Sequence, residues 1–240
     1  MGKWKQVQQY AQHIPNPLDH LKKNLRSASL ILVLDATFVR VLGRDTAILI
    51  AYDTVLGVID YQLNRTESKK AYRQIFKRLK KAHYEPICAV SDGNTGLVAL
   101  LKEAHLPYQR CVRHALQELE RLLGKKKREK LTGEKLDIYV RMEKILLTKT
   151  IEEVPEKVAN FRLYSEHRFQ EQWWILRWFW KILPNALLHL SYAEKVPNTT
   201  NILENFNGQI KQRLKTMRGM KSKKSLKNLL KILFYFRNYK

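Results

Sequence analysis

The chain has 240 residues, 45% of them hydrophobic, and carries 45 Lys+Arg against 22 Asp+Glu for a formal charge of +23. The apolar fraction is enough for a sizeable core, which excludes a disordered basic tail. A folded protein this cationic repels itself unless a polyanion is near, and nucleic acid is the default polyanion, although a ribosomal-type or membrane-surface protein would share the charge.

Residues 1–27 are polar and basic with Pro15 and Pro17, and read as an N-terminal arm or linker remnant. The pattern then changes: "ASLILVLDATFVRV" is a continuous apolar run of strand length, of the sort buried on both faces. "TAILIAYD" and "VLGVIDYQL" follow across a short turn around Asp53, Thr54 and Gly57, which predicts a three-stranded meander. "ESKKAYRQIFKRLKKAH" has helical periodicity through Tyr72, Ile75, Phe76 and Leu79. A short strand at "ICAVSDG", a helix through "GLVALLKEAH" and a strand at "PYQRC" complete the series. A meander followed by helix, strand, helix, strand is the order of a ribonuclease H-like α/β fold, and residues 28–111 read as its first part.

Residues 112–190 show no strand signal and read as a helical insertion inside the α/β fold. "HALQELERLLGKKKREKL" is helical, its cationic run at Lys125–Arg128 a solvated face. Trp174 and Trp178 are an i, i+4 pair that predicts core packing between insertion helices, with stacking on an unpaired base as the alternative. Residues 191–240 hold Glu204 and a basic C-terminal segment: no Asp or Glu follows Glu204, although the closing "LLKILFYF" is apolar enough to pack.

Three acids stand out. Asp35 sits at the end of the first strand, following five apolar residues, Leu30 to Leu34, and a charge there is expensive unless paired or bound to a cation. Asp92 follows the fourth strand in "VSDGNTG", where glycines let the chain turn into the next helix. Sites in α/β sheets gather at the carboxyl ends of parallel neighbours, so adjacent first and fourth strands would bring Asp35 and Asp92 together. Glu204 on a later helix would complete a site for Mg²⁺ or Mn²⁺, hard cations that prefer oxygen ligands and promote phosphodiester chemistry. Beside it Lys211, Arg213, Lys215 and Arg218 would hold a DNA backbone. The blander reading makes Asp35 the partner of an Arg, Asp92 a turn residue or N-cap, and Glu204 part of a capping box with Asn201.

"LDATFVR", "SDGNTGL", "YQRCVRHALQEL" and "TTNILENFNGQIKQRLKTMRG" together resemble the Mutator-type DDE transposases and their prokaryotic insertion-sequence relatives, over roughly residues 30–222. The resemblance implies a ribonuclease H-like catalytic core and metal-dependent DNA strand cleavage and transfer at mobile-element ends. It places Asp35, Asp92 and Glu204 at the family's three acids. The implied partners are transposon-end and target DNA, with the protein a homo-oligomer on DNA, in the cytoplasm at the nucleoid and not at a membrane. Such transposases carry a substantial N-terminal region that recognises transposon ends, whereas about thirty residues precede the first strand here. The alternative is therefore a truncated or inactive transposase-derived DNA-binding protein.

The resemblance also carries the Cys-x-x-His of "CVRH" as a signature, implying a role for His114 at the scissile phosphate. As zinc ligands Cys111 and His114 make only half a site, and Cys88 reads as a small core residue. Two cysteines are too few for a disulfide framework and fit a reducing compartment. Arg110 and Arg113 flank the motif as candidate phosphate contacts or merely solvated side chains. The start lacks a signal-peptide core, and the longest apolar run is broken by Asp35, short of a membrane span.

Overall fold

The computed structural model describes residues 3–124, 131–168, 170–216 and 222–239. The chain divides into two compact units, Met1–Pro107 with Thr200–Lys240, and Tyr108–Thr199.

The first unit is built on β1 (Ile31–Val41), β2 (Arg44–Asp53), β3 (Gly57–Asn64) and β4 (Cys88–Ser91). Within this unit the strands lie in the order β3-β2-β1-β4, antiparallel through the meander and parallel between β1 and β4. Helices α3 (Lys69–Lys81) and α4 (Thr95–Glu103) make the crossovers on either side of β4. This is the ribonuclease H-like α/β arrangement expected from the order of elements. The apolar runs explain it: Leu32, Val33 and Leu34 on β1, Ile48 to Ala51 on β2 and Cys88 to Val90 on β4 are all fully buried, as central strands covered on both faces must be.

Asp53 ties the open end of this sheet together. Its carboxylate accepts hydrogen bonds from the backbone N–H groups of Ser29, Leu30, Val55 and Leu56, and from the hydroxyls of Ser29 and Tyr84. Leu30 is thereby held at φ 59°, a left-handed conformation that costs a residue with a Cβ. The Leu30 carbonyl in turn accepts from Ile87 N–H at 2.9 Å, which sets β4 against β1.

Three features depart from the sequence reading. Residues 1–27 include two helices, α1 (Lys3–His13) and α2 (Pro17–Asn24), and Ala11, Ile14 and Leu21 are buried. Pro17, read as a linker residue, stands at the first position of α2, where a missing N–H costs nothing. Second, β1 runs on past Asp35 to Val41, because β2 pairs with its whole length. Asp35 is thus the fifth residue of an eleven-residue strand, and only the β1–β4 pairing ends before it. Third, the basic C-terminal segment is also a packing element. Helix α10 (Lys223–Asn238) buries Leu226, Leu230 and Phe234 completely. Phe234 meets Tyr61 of β3 at 5.0 Å and Phe206 of α9 (Asn201–Thr216) at 5.7 Å between ring centroids. Asn238 at the end of α10 pairs with β3 as a strand would, accepting from Val58 N–H and donating to Val58 C=O, both at 2.8 Å. Gly57 permits this approach: a Cβ there would lie 2.3 Å from the Asn238 Oδ1.

The second unit opens with β5 (Tyr108–Arg110) and continues through α5 (Val112–Leu122), α6 (Gly133–Leu146), α7 (Val154–Arg168) and α8 (Trp173–Ala186). Apart from β5 it is helical among the described residues, and its bounds differ from the 112–190 read in the sequence. Its core centres on Leu119, Ile138, Met142, Phe161 and Phe179, the last two rings edge-on at 5.7 Å. Gln109 closes the unit, donating to Ala186 C=O at 2.7 Å and accepting from His189 N–H at 2.8 Å. Trp178 and Trp180 pack on the core, but Trp173 and Trp174 are 59% and 42% exposed. The expected Trp174–Trp178 core pair is therefore half right: the four tryptophans span too wide an arc of α8 to share one apolar face. The cationic run at Lys125–Arg128 lies outside the described residues.

Candidate active site

The geometry around Asp35 follows from strand register and one helix. Leu34 of β1 pairs with Ser91 of β4 in parallel register, so Asp35 and Asp92 are the next positions along two adjacent strands. Asp35 is 7% exposed. Asp92 is half-buried and its Oδ1 accepts from Asn94 N–H at 2.9 Å. The cap of α4 is Asn94, which accepts from Gly96 and Leu97 N–H, so Asp92 makes a turn and is not the N-cap.

Helix α9 packs on β1 through the stripe Leu203, Phe206, Ile210 and Leu214, and Asn207 sits inside that stripe, 5% exposed. Its Nδ2 donates to Asp35 Oδ2 at 2.7 Å. Its Oδ1 is buried with no hydrogen-bond partner, and so is the hydroxyl of Thr37, two residues beyond Asp35 on the same face of β1. Glu204 stands one turn before Asn207, half-buried, its Oε1 accepting from Thr200 Oγ1 at 3.1 Å. Asn201 is the first residue of the helix and not its cap, so the capping box weighed for Asn201 and Glu204 does not have the spacing that motif needs. Tyr72 of α3 lies beneath: burial first, then the Glu67 carboxylate, then Asp92 and Asp35, hold its phenol well above the ordinary value.

Register and helix packing thus bring Asp35, Asp92 and Glu204 to one region of the first unit. Among the described residues their carboxylates do not form a set whose oxygens all lie within 4.8 Å of one another. Lys211 and Lys215, seven and eleven residues after Glu204, project from its side of α9, whereas Arg213 projects from the opposite side; all three are exposed. Arg218 lies outside the described residues.

The remaining predicted site residues belong to the second unit. His114 is half-buried in the first turn of α5, with Nδ1 3.2 Å from the sulfur of buried Cys111. Arg113 is exposed. Arg110 differs from the expected surface contact: it is 9% exposed, and Glu118 two turns along α5 holds its guanidinium at 2.5 Å. Its partner was eight residues away in sequence, beyond the reach of a local motif. Asn207 was missed for the opposite reason, although a polar residue in the apolar stripe of the helix that carries Glu204 is a readable signal.

The strand order β3-β2-β1-β4, with β1 and β4 parallel and α9 packed on β1, defines a ribonuclease H-like α/β fold. The sequence pattern of the transposases of the Mutator family matches residues 20–239, and the chain belongs to that family. The transposase for insertion sequence element IS1201 of Lactobacillus helveticus is 24% identical over 242 residues, covering 92% of this chain. The chain spans 61% of that relative's length. Among solved structures, the magnesium-bound catalytic core domain of HTLV-2 integrase in its dimeric form is similar over 50% of this chain and 88% of its own, at 11% identity and a TM-score of 0.28. The simian T-cell lymphotropic virus intasome with the PP2A regulatory subunit B56 gamma matches 50% of this chain and 49% of its own, at 13% identity and a TM-score of 0.29. No helix among the described residues is long and apolar enough to cross a membrane.

Proposed function

We propose that the chain is the catalytic part of a DDE transposase, cutting DNA strands at mobile-element ends and joining them to target DNA as a homo-oligomer on that DNA. The observation that carries this reading is the bond from Asn207 Nδ2 to Asp35 Oδ2, which docks the Glu204 helix on β1 next to the Asp35–Asp92 pair. Asp35, Asp92 and Glu204 would hold Mg²⁺ or Mn²⁺. The donor set fits such a cation: carboxylate oxygens are the ligands hard divalent ions prefer, and the buried, unpartnered Oδ1 of Asn207 leaves an unused acceptor beside them. Bound there, the cation supplies an activated water or hydroxyl and charge stabilisation at the leaving oxygen.

The chain's own residues do the rest. Burial keeps Asp35 out of bulk water, and the Asn207 amide fixes which of its oxygens faces the helix. Lys211 and Lys215 would track the backbone phosphates along the helix face that carries Glu204, orienting the strand to be cut.

Glu204→Gln is the test, because it keeps the shape and the hydroxyl contact from Thr200 but removes the charge. The variant should keep its far-ultraviolet spectrum and DNA affinity, while Mg²⁺-dependent nicking of a duplex carrying the element's end falls by orders of magnitude. Cleavage at the wild-type rate would refute Glu204 as the third acid.

A further inference from the structure

Along α10, Lys223, Lys227 and Lys231 recur every fourth residue, so they stand on one side of the helix about 6 Å apart along its axis. They line a groove of about 640 Å³ together with Arg78 of α3 and the edge strand from Asp60 to Leu63. Lys223 also lines a second hollow, with Arg44 at the start of β2 and Arg65 just after β3. The two hollows therefore meet at Lys223, one bordering the β3 edge and the other the turn between β1 and β2. The acids that line them are already engaged: Asp60 holds Arg78 at 2.9 Å, Asp45 faces Arg40 at 3.5 Å, and Asp19 caps its own helix at Asn16 N–H.

Two ordinary explanations fall short. A solvated helix mixes its charges, since like charges at i, i+4 repel, yet α10 has no acid at all. Lysines also guard exposed sheet edges against pairing, but Asn238 already occupies the N–H and C=O of Val58 on this edge. A concave row of ammonium groups at near-regular spacing suits a repeating anion. None of Asp35, Asp92 or Glu204 lines either hollow.

We propose that this surface binds the phosphate backbone of double-stranded DNA, as a second DNA track distinct from the one beside the carboxylates. It rests on the reading of the chain as an enzyme acting on DNA, and it gives that enzyme a hold on a second duplex, as joining one DNA to another requires.

The full chain carrying Lys223→Gln, Lys227→Gln and Lys231→Gln tests it. The apolar face of α10 packs elsewhere, and although Lys231 Nζ also donates to the Ala11 carbonyl at 3.4 Å, Gln keeps a donor there. An unchanged far-ultraviolet spectrum and unfolding midpoint therefore separate lost charge from lost packing. Binding to a duplex of arbitrary sequence is followed by fluorescence anisotropy across a salt series. The slope of log affinity against log salt should flatten by about 0.9 per lost phosphate contact, roughly 2.7 in all. The same charge change at exposed Lys80, Lys81 and Lys102 should leave the slope nearly intact. An unchanged slope in the first variant, equal flattening in both, or preference of the wild type for anionic phospholipid vesicles over duplex at equal salt would each overturn the proposal. Mn²⁺ binding, followed by paramagnetic resonance, should be the same in the triple variant and wild type. The carboxylate site stands or falls separately, on Glu204→Gln.

Discussion

Two buried carboxylates on one sheet have opposite surroundings. Asp53, fully buried, is saturated by four backbone N–H groups and two hydroxyls, and those contacts close a turn, hold Leu30 in a left-handed conformation and align β4. Asp35, nearly as buried, meets an amide whose own oxygen is unpartnered, and the next strand offers a second carboxylate in register. A saturated carboxylate has no capacity left for a ligand and acts on the fold. Asp35 instead accepts from the Asn207 amide and lies beside a second acid, which is the placement that the proposed cation site uses. The two are linked, because the alignment that Asp53 imposes through Leu30 and Ile87 is what sets Asp35 next to Asp92.

The sharpest way to break this contrast is to make the same near-isosteric change at both positions. Asp53→Asn turns one acceptor into a donor that faces N–H groups already aimed at it. It should cost on the order of 3–5 kcal/mol in chemical denaturation, a large part of a typical domain's stability. Asp35→Asn should cost much less stability, because it relieves a buried charge, while abolishing Mn²⁺ binding measured by paramagnetic resonance. If Asp35→Asn destabilised the fold as much as Asp53→Asn, Asp35 would be a second structural carboxylate.

A smaller effect is expected at Asn207, which we read as a positioning residue for Asp35. Asn207→Leu keeps the volume, fills the apolar stripe of α9 and removes both the donor to Asp35 and the unpartnered oxygen. Mn²⁺ affinity should fall about 10- to 100-fold, as for other residues that orient ligands from behind. The unfolding midpoint should fall modestly, for a stability loss of about 1–3 kcal/mol, because buried Asp35 loses its donor, offset in part by the unpartnered oxygen that Leu removes. A lowered midpoint with unchanged Mn²⁺ affinity would make Asn207 a packing residue only.

Much of the first unit was legible because its strands are near-continuous apolar runs separated by turn residues, and an interrupted run marks Asp35 by the cost of its charge. That Asp92 would lie near Asp35 depended on β1 and β4 being adjacent strands, and their parallel pairing meets that condition. What stayed hidden depended on partners distant in the chain. The α1 and α2 helices carry weak apolar patterns and are held by contacts with α10 and β3. The burial of Arg110 depends on Glu118. The length of β1 beyond Asp35 was set by β2, and no local pattern separates a strand that ends at an acid from one that runs through it.

The smallest expected effect probes the saturated side of the comparison through its only aromatic donor. The Tyr84 hydroxyl donates to Asp53 Oδ2 at 2.9 Å, and burial first, then the Asp53 charge and that hydrogen bond, raise its pKa far above the ordinary phenol value. Tyr61, chiefly through burial and next through Asp60, is pushed up to about 12. Below pH of about 10, folded and unfolded chains both keep these protons, and the stability they contribute is fully present. Above that, the unfolded chain releases them while the folded chain does not, so stability falls with rising pH by about 1.4 kcal/mol per pH unit for each such phenol. The Tyr61 share is exhausted near its folded value of about 12, whereas the Tyr84 share continues to fall beyond it. Tyr84→Phe should cost about 1 kcal/mol at neutral pH, for the lost hydrogen bond, and should flatten the decline between pH 10 and 11 by one phenol's worth. Urea unfolding at fixed pH steps measures that slope, and phenolate absorbance shows which tyrosines titrate before unfolding. An unchanged slope in Tyr84→Phe, or a folded-state phenolate appearing at Tyr84 near the ordinary value, would mean that Asp53 is not sealed from water as its six hydrogen bonds indicate.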